Sequence, residues 1–482
     1  MNIFQFNKHR FNLTFLLLSF GLVWLSFLNL VQKFPPIDNT EHLIWSQSLE
    51  WSYYKHPPIT TWVYWIFAQI FGNNILTTYL LGSLCTLTSI AFFWKVIKEV
   101  KGYRYASIAV LATLCITFYS GSLNAYNHNI LLMLCVSLTA LTWLKIIRRP
   151  HFLWWTTLGL LSAAGLLTKY QYCLVIFAGV FIFIHMKMWR LNINLQGLAL
   201  AGAITIILLL PHANELFLGN DHSMNYACSN FFSANIKSDE IMRHNLIWTF
   251  DWFLNRSLPC LIFLIAFVKL GRLSTLNQST FTQVPSKQSW ILLFGAMPFL
   301  GMLVMGIFFG VNLRCRWATA FSLWMVPIFM EIFGVTEERL SRVNWKSVAL
   351  KIFLLIQITL VWLSFESSTH GFILPDTVRK KPFPYQELAS ALEADVSKRV
   401  GVPIQIVSAN DHIAGALNIL LEDKPLFILE HNNEFSPWIN KKALFEKHII
   451  HVWAPNEGPL DANPLMDGWR WTVSYPLNGE FQ

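Results

Sequence analysis

Two carboxylates near the start of the chain are its first candidates for chemistry. Asp38 and Glu41 follow a long apolar run by a few residues. If this segment is helical, the spacing of three places both side chains on one face, where a carboxylate can act as a general base on a hydroxyl or an amine. A structural alternative is compatible with this hypothesis. Asp38 would be the N-cap of a helix starting at Asn39, with Glu41 at the third helical position as in a capping box.

Long apolar segments must position these residues. Of the 482 residues, 54% are hydrophobic and 13% are charged, which is too little polar surface for a soluble protein. About 20 apolar residues cross the ~30 Å hydrocarbon core as a helix, which satisfies its own backbone hydrogen bonds in lipid. The sequence therefore predicts an α-helical polytopic membrane protein with about eleven spans. These spans are 11–31, 75–97, 105–120, 129–147, 153–168, 171–186, 195–211, 246–268, 290–310, 317–335 and 348–366.

The distribution of basic residues indicates how the spans are oriented. The net charge of +9 is concentrated in short breaks between alternate spans, such as 95–104 and 145–149. This is the pattern of the cytoplasmic side of a membrane protein and not that of a nucleic-acid-binding protein. We predict a cytoplasmic N-terminus and, with an odd number of spans, a C-terminal tail on the outer side.

The outer side carries the long hydrophilic segments. Residues 32–74, the first outer loop, contain aromatic, amphipathic stretches that predict helices lying at the membrane interface. A second outer loop covers 212–245. From 367 onward the chain is polar, with short predicted strands at IQIVSA and PLFIL and a predicted helix at YQELASALEADVSKRV. We therefore predict a transmembrane domain at 1–366 and a small soluble α/β domain at 367–482.

Several motifs resemble those of a known enzyme family. Residues 38–59 (DNTEHLIWSQSLEWSYYKHPPI) resemble the first periplasmic loop of bacterial C-type (GT-C) glycosyltransferases. These include protein mannosyltransferase-like enzymes and the lipid A aminoarabinose transferase, which use polyprenyl-phosphate sugars. The segments 165–171 (GLLTKYQ), 208–212 (LLLPH) and 316–317 (RW) are similar to further motifs of this family. The resemblance extends over about residues 10–335 and implies a GT-C fold for the transmembrane domain.

The resemblance implies roles for three charged residues. Asp38 matches the loop acid that serves as catalytic base or orients the acceptor, and Glu41 would assist it. Lys169, in a short outer turn, would pair with the phosphate of the donor. The alternative for Lys169 is structural, because lysines near helix ends often extend toward the membrane interface.

Other matched positions suggest the two substrates. Arg314 and Arg316 are candidates for the donor phosphate, since guanidinium groups bind phosphate in a bidentate manner, or they anchor the chain at the interface. His56 stands where relatives have His or Lys and would either contact phosphate or cap the turn. His212, expected at a helix exit, would be structural or lie on the acceptor side.

Some positions depart from the family pattern. Asn39 stands where many relatives have a second acid, and Lys55 stands where many have an acidic residue. The segment 124–129 (NAYNHN) also lacks an acid that relatives often carry. His128 would take its place on the acceptor side, or it would simply begin a helix. We identify no metal ligands, and with so few acids a divalent metal is possible but not supported, because divalent cations prefer several oxygen ligands.

The resemblance and topology together predict a glycosyltransferase of the bacterial inner membrane. It would move a sugar from a polyprenyl-phosphate donor to an envelope acceptor, either a lipopolysaccharide, another glycolipid or a protein, on the periplasmic face. A single displacement at the anomeric carbon needs no cofactor, which agrees with the absence of a Gly-rich phosphate loop from the sequence. The alternative is a polytopic lipid or solute transporter or flippase. That alternative predicts charged pairs deep within the spans or inverted repeats.

Overall fold

The computed structural model describes residues 12–32, 34–218, 222–231, 238–271, 273, 288–368, 383–459 and 461–475. Its helices are α1 (Leu13–Val31), α2 (Ile37–Trp45), α3 (Ile59–Phe71), α4 (Ile75–Lys101), α5 (Tyr103–Thr113), α6 (His128–Arg148), α7 (Phe152–Thr168), α8 (Cys173–His185), α9 (Asn192–Phe217), α10 (His222–Phe231), α11 (Ser238–Asp251), α12 (Leu258–Leu270), α13 (Trp290–Phe308), α14 (Ser322–Ile332), α15 (Glu337–Ser341), α16 (Trp345–Ser368), α17 (Tyr385–Arg399), α18 (Asp411–Leu420) and α19 (Lys441–Glu446). Its strands are β1 (Ile406–Ala409), β2 (Leu426–Leu429), β3 (Ile449–Trp453), β4 (Asn463–Pro464) and β5 (Arg470–Ser474).

Seven helical stretches in the described residues are long and apolar enough to cross a membrane. They are α1, α4, α6, α9, the continuous Arg243–Leu270 stretch of α11 and α12, α13 and α16. The other predicted spans coincide with shorter helices, namely α5, α7, α8 and α14. The predicted fold class, a helical polytopic membrane protein, is confirmed, because every predicted span contains a helix.

The first outer loop folds into two helices that differ in exposure. Ile66, Ile70 and Phe71 of α3 are exposed, which gives this helix the apolar face expected at a membrane interface. By contrast, α2 is buried from Asn39 to Trp45. It packs against α4 on one side and against α18, from the tail of the chain, on the other. The tail therefore covers the segment that carries the candidate carboxylates.

The second outer loop begins later than the sequence suggested. α9 continues through Pro211 and His212 to Phe217, so the prediction that His212 lies at a helix exit is wrong. A proline is tolerated within a membrane helix because neighbouring groups satisfy the carbonyl that it frees. The remainder of this loop carries α10 and the start of α11, while 219–221 and 232–237 lie outside the described residues.

The tail forms a small α/β unit, here called the C-terminal domain (383–475). Its five-stranded sheet has the order β2-β1-β3-β5-β4, with β1 parallel to both β2 and β3, and β5 antiparallel to β3 and β4. α17, β1 and β2 confirm the helix and the two strands predicted from the sequence. The apolar core of this domain also contains Ile44, Trp45, Tyr53 and Tyr54 of the first outer loop. The two parts of the chain thus share one core.

Candidate active site

The first residues of α2 show whether Asp38 and Glu41 cap this helix. The N-cap is Pro36, the helix begins at Ile37, and this end has no side-chain capping hydrogen bond. The capping alternative for Asp38 and Glu41 is therefore wrong. Pro36 has an extended ψ of 135° and the helix begins at the next residue, Ile37, so Asp38 is already inside the helix. Asp38 instead lies in the first turn, where its Oδ2 accepts a hydrogen bond of 2.9 Å from Asn127 Nδ2.

A cavity of about 240 Å³ brings most of the predicted site residues together. Its walls come from the first outer loop, the turns before α6 and before α8, α10, the segment after α13, and α18. The lining includes Asp38, Glu41, Lys55, His56, Asn127, His128, Asn129, Lys169, Tyr170, Arg314, Arg316, Trp317 and His412. Carboxylates and cations that are far apart in the sequence therefore face one enclosed space.

Glu41 is part of an ionic cluster that sequence reasoning missed. Lys55 Nζ donates to Glu41 Oε1 at 2.7 Å and also pairs with Asp411, the first residue of α18. The Tyr54 hydroxyl donates to the same Asp411 carboxylate. Burial raises the pKa of Glu41 to about 8, against the opposing effect of Lys55. No sequence pattern singled out Asp411, and nothing in the sequence linked the tail to the first outer loop.

Lys169 reaches into the cavity from the end of α7. Its Nζ donates to Asn129 Oδ1 at 2.6 Å and lies 5.4 Å from the ring centroid of Trp317. Burial and then the charge of Arg316 lower the pKa of Lys169 to about 7. An anion in the cavity would reverse this effect, since a negative charge favours the protonated amine. Lys169 is therefore a buried cation of the cavity lining, bonded to Asn129.

Three histidine rings pack together beside the cavity. The ring centroids of His56 and His128 are 3.8 Å apart, and those of His42 and His128 are 5.2 Å apart. Burial, followed by the charge of Lys169, holds the pKa of His56 well below its usual value, and burial lowers the pKa of His42 to about 3. A neutral imidazole can donate one hydrogen bond and accept another. His56 can thus bind a phosphate oxygen without adding charge.

His212 does not line the cavity. It is buried, with Nδ1 at 2.6 Å from the Trp51 carbonyl oxygen and Nε2 at 2.9 Å from the Tyr170 hydroxyl. Tyr170 in turn contacts Ser223 of α10 at 3.1 Å. His212 therefore joins the first outer loop to the turn that carries Lys169. These contacts favour the structural alternative for His212 over a place on the acceptor side.

Comparisons with known sequences show which proteins this chain resembles. A family model described as dolichyl-phosphate-mannose-protein mannosyltransferase matches residues 55–214. The lipid A galacturonosyltransferase RgtD of Rhizobium johnstonii (strain DSM 114642 / LMG 32736 / 3841) is 23% identical over 182 residues, which cover 36% of this chain and 37% of RgtD. The lipopolysaccharide core galacturonosyltransferase RgtA of the same organism is 20% identical over 445 residues, which cover 89% of this chain and 84% of RgtA.

A solved structure shares the fold. The crystal structure of ArnT from Cupriavidus metallidurans bound to undecaprenyl phosphate superposes with a TM-score of 0.58. The match covers 95% of this chain and 97% of ArnT at 13% sequence identity, so it shows the fold alone. Together with the family model and the two relatives, it favours the transferase prediction over the transporter alternative. The chain is thus similar to C-type (GT-C) glycosyltransferases, in sequence over residues 55–214 and in overall fold.

Proposed function

We propose that the protein transfers a sugar from a polyprenyl-phosphate donor to an envelope glycolipid on the periplasmic face of the bacterial inner membrane. One observation carries this proposal. The carboxylates of α2 and the cations Lys169, Arg314 and Arg316 line the same cavity. Group transfer from a phosphate needs a base for the acceptor and positive charge for the leaving group. This cavity offers both.

The reaction is a single displacement at the anomeric carbon of the sugar. Asp38 accepts the proton of the acceptor hydroxyl or amine while that atom forms the new bond to the sugar. The bond between the anomeric carbon and the phosphate oxygen breaks, and polyprenyl phosphate leaves. One such displacement inverts the anomeric configuration. Glu41, held by Lys55 at 2.7 Å, lies one helical turn from Asp38 and assists it.

The cations act most strongly on the leaving group. The donor phosphate is a diester with one negative charge, and the departing phosphate monoester carries more. Lys169, Arg314 and Arg316 therefore stabilise the transition state more than the bound donor, which is the condition for faster reaction. His56 adds a hydrogen bond from its neutral ring. The activated lipid supplies the driving force, so the proposed step needs no further energy-supplying cofactor.

The names of the relatives support the two substrate classes. RgtD and RgtA are named as transferases acting on lipid A and on the lipopolysaccharide core. ArnT was solved with undecaprenyl phosphate. We therefore infer a polyprenyl carrier of this type for the donor, and lipid A or the lipopolysaccharide core for the acceptor.

Mass spectrometry of envelope glycolipids and glycoproteins tests this function. Cells with and without the gene are compared, and the deletion is complemented with either the wild-type gene or Asp38→Asn. We expect lipopolysaccharide to lose the mass of one sugar in the deletion strain and to regain it only with the wild-type gene. Identical glycolipids and glycoproteins in all strains would contradict the proposal.

A further inference from the structure

The C-terminal domain reaches the cavity through the first turn of α18. Asp411 is 3% exposed, and the adjacent His412 lines the cavity wall. Asp411 is separated from β1 only by Asn410, the N-cap of α18, and its backbone N–H donates to Glu430 Oε1 at 3.1 Å. The C-terminal domain thus places the buried carboxylate of Asp411 beside the first outer loop.

This carboxylate shares a cation with the candidate catalytic helix. Lys55 lies between Asp411 and Glu41, and its ammonium contacts both. The side chains of all three residues are at most 14% exposed. An ammonium has three donors and no acceptor, so it can bind two carboxylates at once. Asp411 also accepts from the Tyr54 hydroxyl, which fixes the residue before Lys55.

Close packing fixes α18 against α2. A Cβ atom added to Gly415 would lie 2.0 Å from Thr40 Oγ1, so only glycine permits this approach. The ring of Tyr54 stacks on Phe435 of the C-terminal domain, with centroids 4.5 Å apart and planes inclined by 14°. The position of Asp411 relative to Lys55 is therefore set by packing on both sides.

We propose that Asp411 is a positioning residue for the transfer reaction: it holds Lys55, and through Lys55 it holds Glu41, in the geometry that the cavity requires. The proposal rests on the proposed function for its catalytic consequence. Lys55 is buried between the two carboxyl groups, so the loss of either one leaves its ammonium less well paired. The C-terminal domain supplies one of these two partners.

A double-mutant cycle tests whether Asp411 acts through Lys55. Full-length Asp411→Asn, Lys55→Gln and the double variant are compared for kcat, KM for the donor and Tm. Asp411→Asn should lower kcat about 10-fold with little change in KM, and it should lower kcat less than about 2-fold in the Lys55→Gln background. Asp411→Glu retains the charge and should recover most of kcat. Additive effects on kcat would overturn the proposal.

Controls separate this role from general stability and from the proposed function. Asp395→Asn removes a carboxylate of the same domain that pairs with Arg399, and its effect should be additive with Lys55→Gln. If Asp411→Asn does not fold, the double variant should recover folding, because it no longer buries a poorly paired ammonium. A double variant that also fails to fold overturns the proposal. If the wild type transfers no sugar, the proposed function fails. The Tm values of the same cycle then test whether Asp411 holds Lys55: non-additive changes in Tm support this contact, and additive changes overturn it.

Discussion

At the residue scale, the acids of α2, with Lys55 paired to Glu41, form one group of the cavity lining, and the cations Lys169, Arg314 and Arg316 form another. Asp38 and Glu41 project from α2, whereas Lys169 and the two arginines come from later segments. Asn127 and Asn129 lie between them, bonded to Asp38 and to Lys169. Neutral amides can hold both charged groups without cancelling either charge. Each group is thereby oriented and stays available to a substrate.

Asp38→Asn tests the proposed base. Asparagine retains the shape and an oxygen that can accept from Asn127, and Asp38 makes no capping bond that the change would remove. We expect a folded protein whose transfer rate is lower by about 10²–10⁴-fold. Transfer of labelled donor sugar is measured together with Tm, with Asp395→Asn as a matched control. A folded variant with near-normal transfer would move the base assignment to Glu41 or His128.

The pKa of Lys169 predicts a pH dependence of donor binding. With a pKa of about 7, Lys169 is protonated below that pH in the free protein and loses its charge above it. Donor affinity should therefore be greatest at low pH and fall by up to about tenfold per pH unit above neutrality, until the higher pKa of the complex is reached. Lys169→Arg should bind with little pH dependence, and Lys169→Ala should bind weakly throughout.

Titration calorimetry in detergent with a polyprenyl phosphodiester, between about pH 6 and about pH 9, measures this effect, because the single charge of a diester does not change over this range. Lys169→Arg serves as the matched control, because arginine stays protonated over this range. Equal affinities for the wild type and Lys169→Ala would show that Lys169 is an interfacial anchor.

At the scale of elements, Asn39 explains one departure from the family pattern. Its Nδ2 donates to Thr78 Oγ1 at 2.8 Å and to the Asn124 carbonyl at 2.9 Å, while its Oδ1 accepts from the Tyr126 N–H at 2.9 Å. The side chain is fully buried. One amide therefore ties α2 to α4 and to the turn before α6. A carboxylate could accept but not donate, so an acid does not fit these partners.

Asn39→Asp, which introduces the acid common in relatives, should therefore destabilise this protein. The new carboxylate would face the Asn124 carbonyl without a proton to donate, at a cost of about 2–3 kcal/mol. We expect a lower Tm and reduced transfer, because α2 would shift relative to Asn127. The matched control is Asn440→Asp at the N-cap of α19, where Asp caps about as well as Asn. Equal Tm values for the two variants would contradict this account.

At the scale of the whole molecule, the cavity and the basic breaks lie at opposite ends of the helices. Every segment that lines the cavity comes from a break predicted to face outward. In the breaks predicted to face inward, Lys101 pairs with Glu331 at 2.9 Å and Arg104 with Glu337 at 3.0 Å. The cavity thus lies at the end of the helices opposite to the basic breaks. Which end is periplasmic remains a prediction from the positive-inside rule.

Reporter fusions measure that orientation. Alkaline phosphatase joined after Gln482 should be active, because the tail is predicted to be periplasmic. The same enzyme joined after Arg149, in a basic break, should be inactive, whereas a cytoplasmic reporter there should be active. The reverse pattern would refute the predicted topology and place the cavity in the cytoplasm.

The sequence by itself determined the helical membrane architecture and most of the cavity residues. Apolar runs specify spans because lipid offers no partners for backbone groups, and this constraint is local in sequence. The two strands and the helix of the tail were predicted from short-range periodicity, which is also a local property of the sequence. Asp38, Glu41, His56, His128, Lys169, Arg314 and Arg316 were identified from motifs within single outer breaks, and they line one cavity.

Only the tertiary structure decided which distant segments meet. Asp411 contacts Lys55 across a separation of more than 350 positions, and no local pattern encodes this pairing. Likewise, His212 bonds to Trp51 and Tyr170 and does not line the cavity, because α9 continues past Pro211. These outcomes depend on how folded elements pack, through contacts such as that of Gly415 with Thr40. Side-chain packing is a property of the assembled core, and local sequence does not determine it.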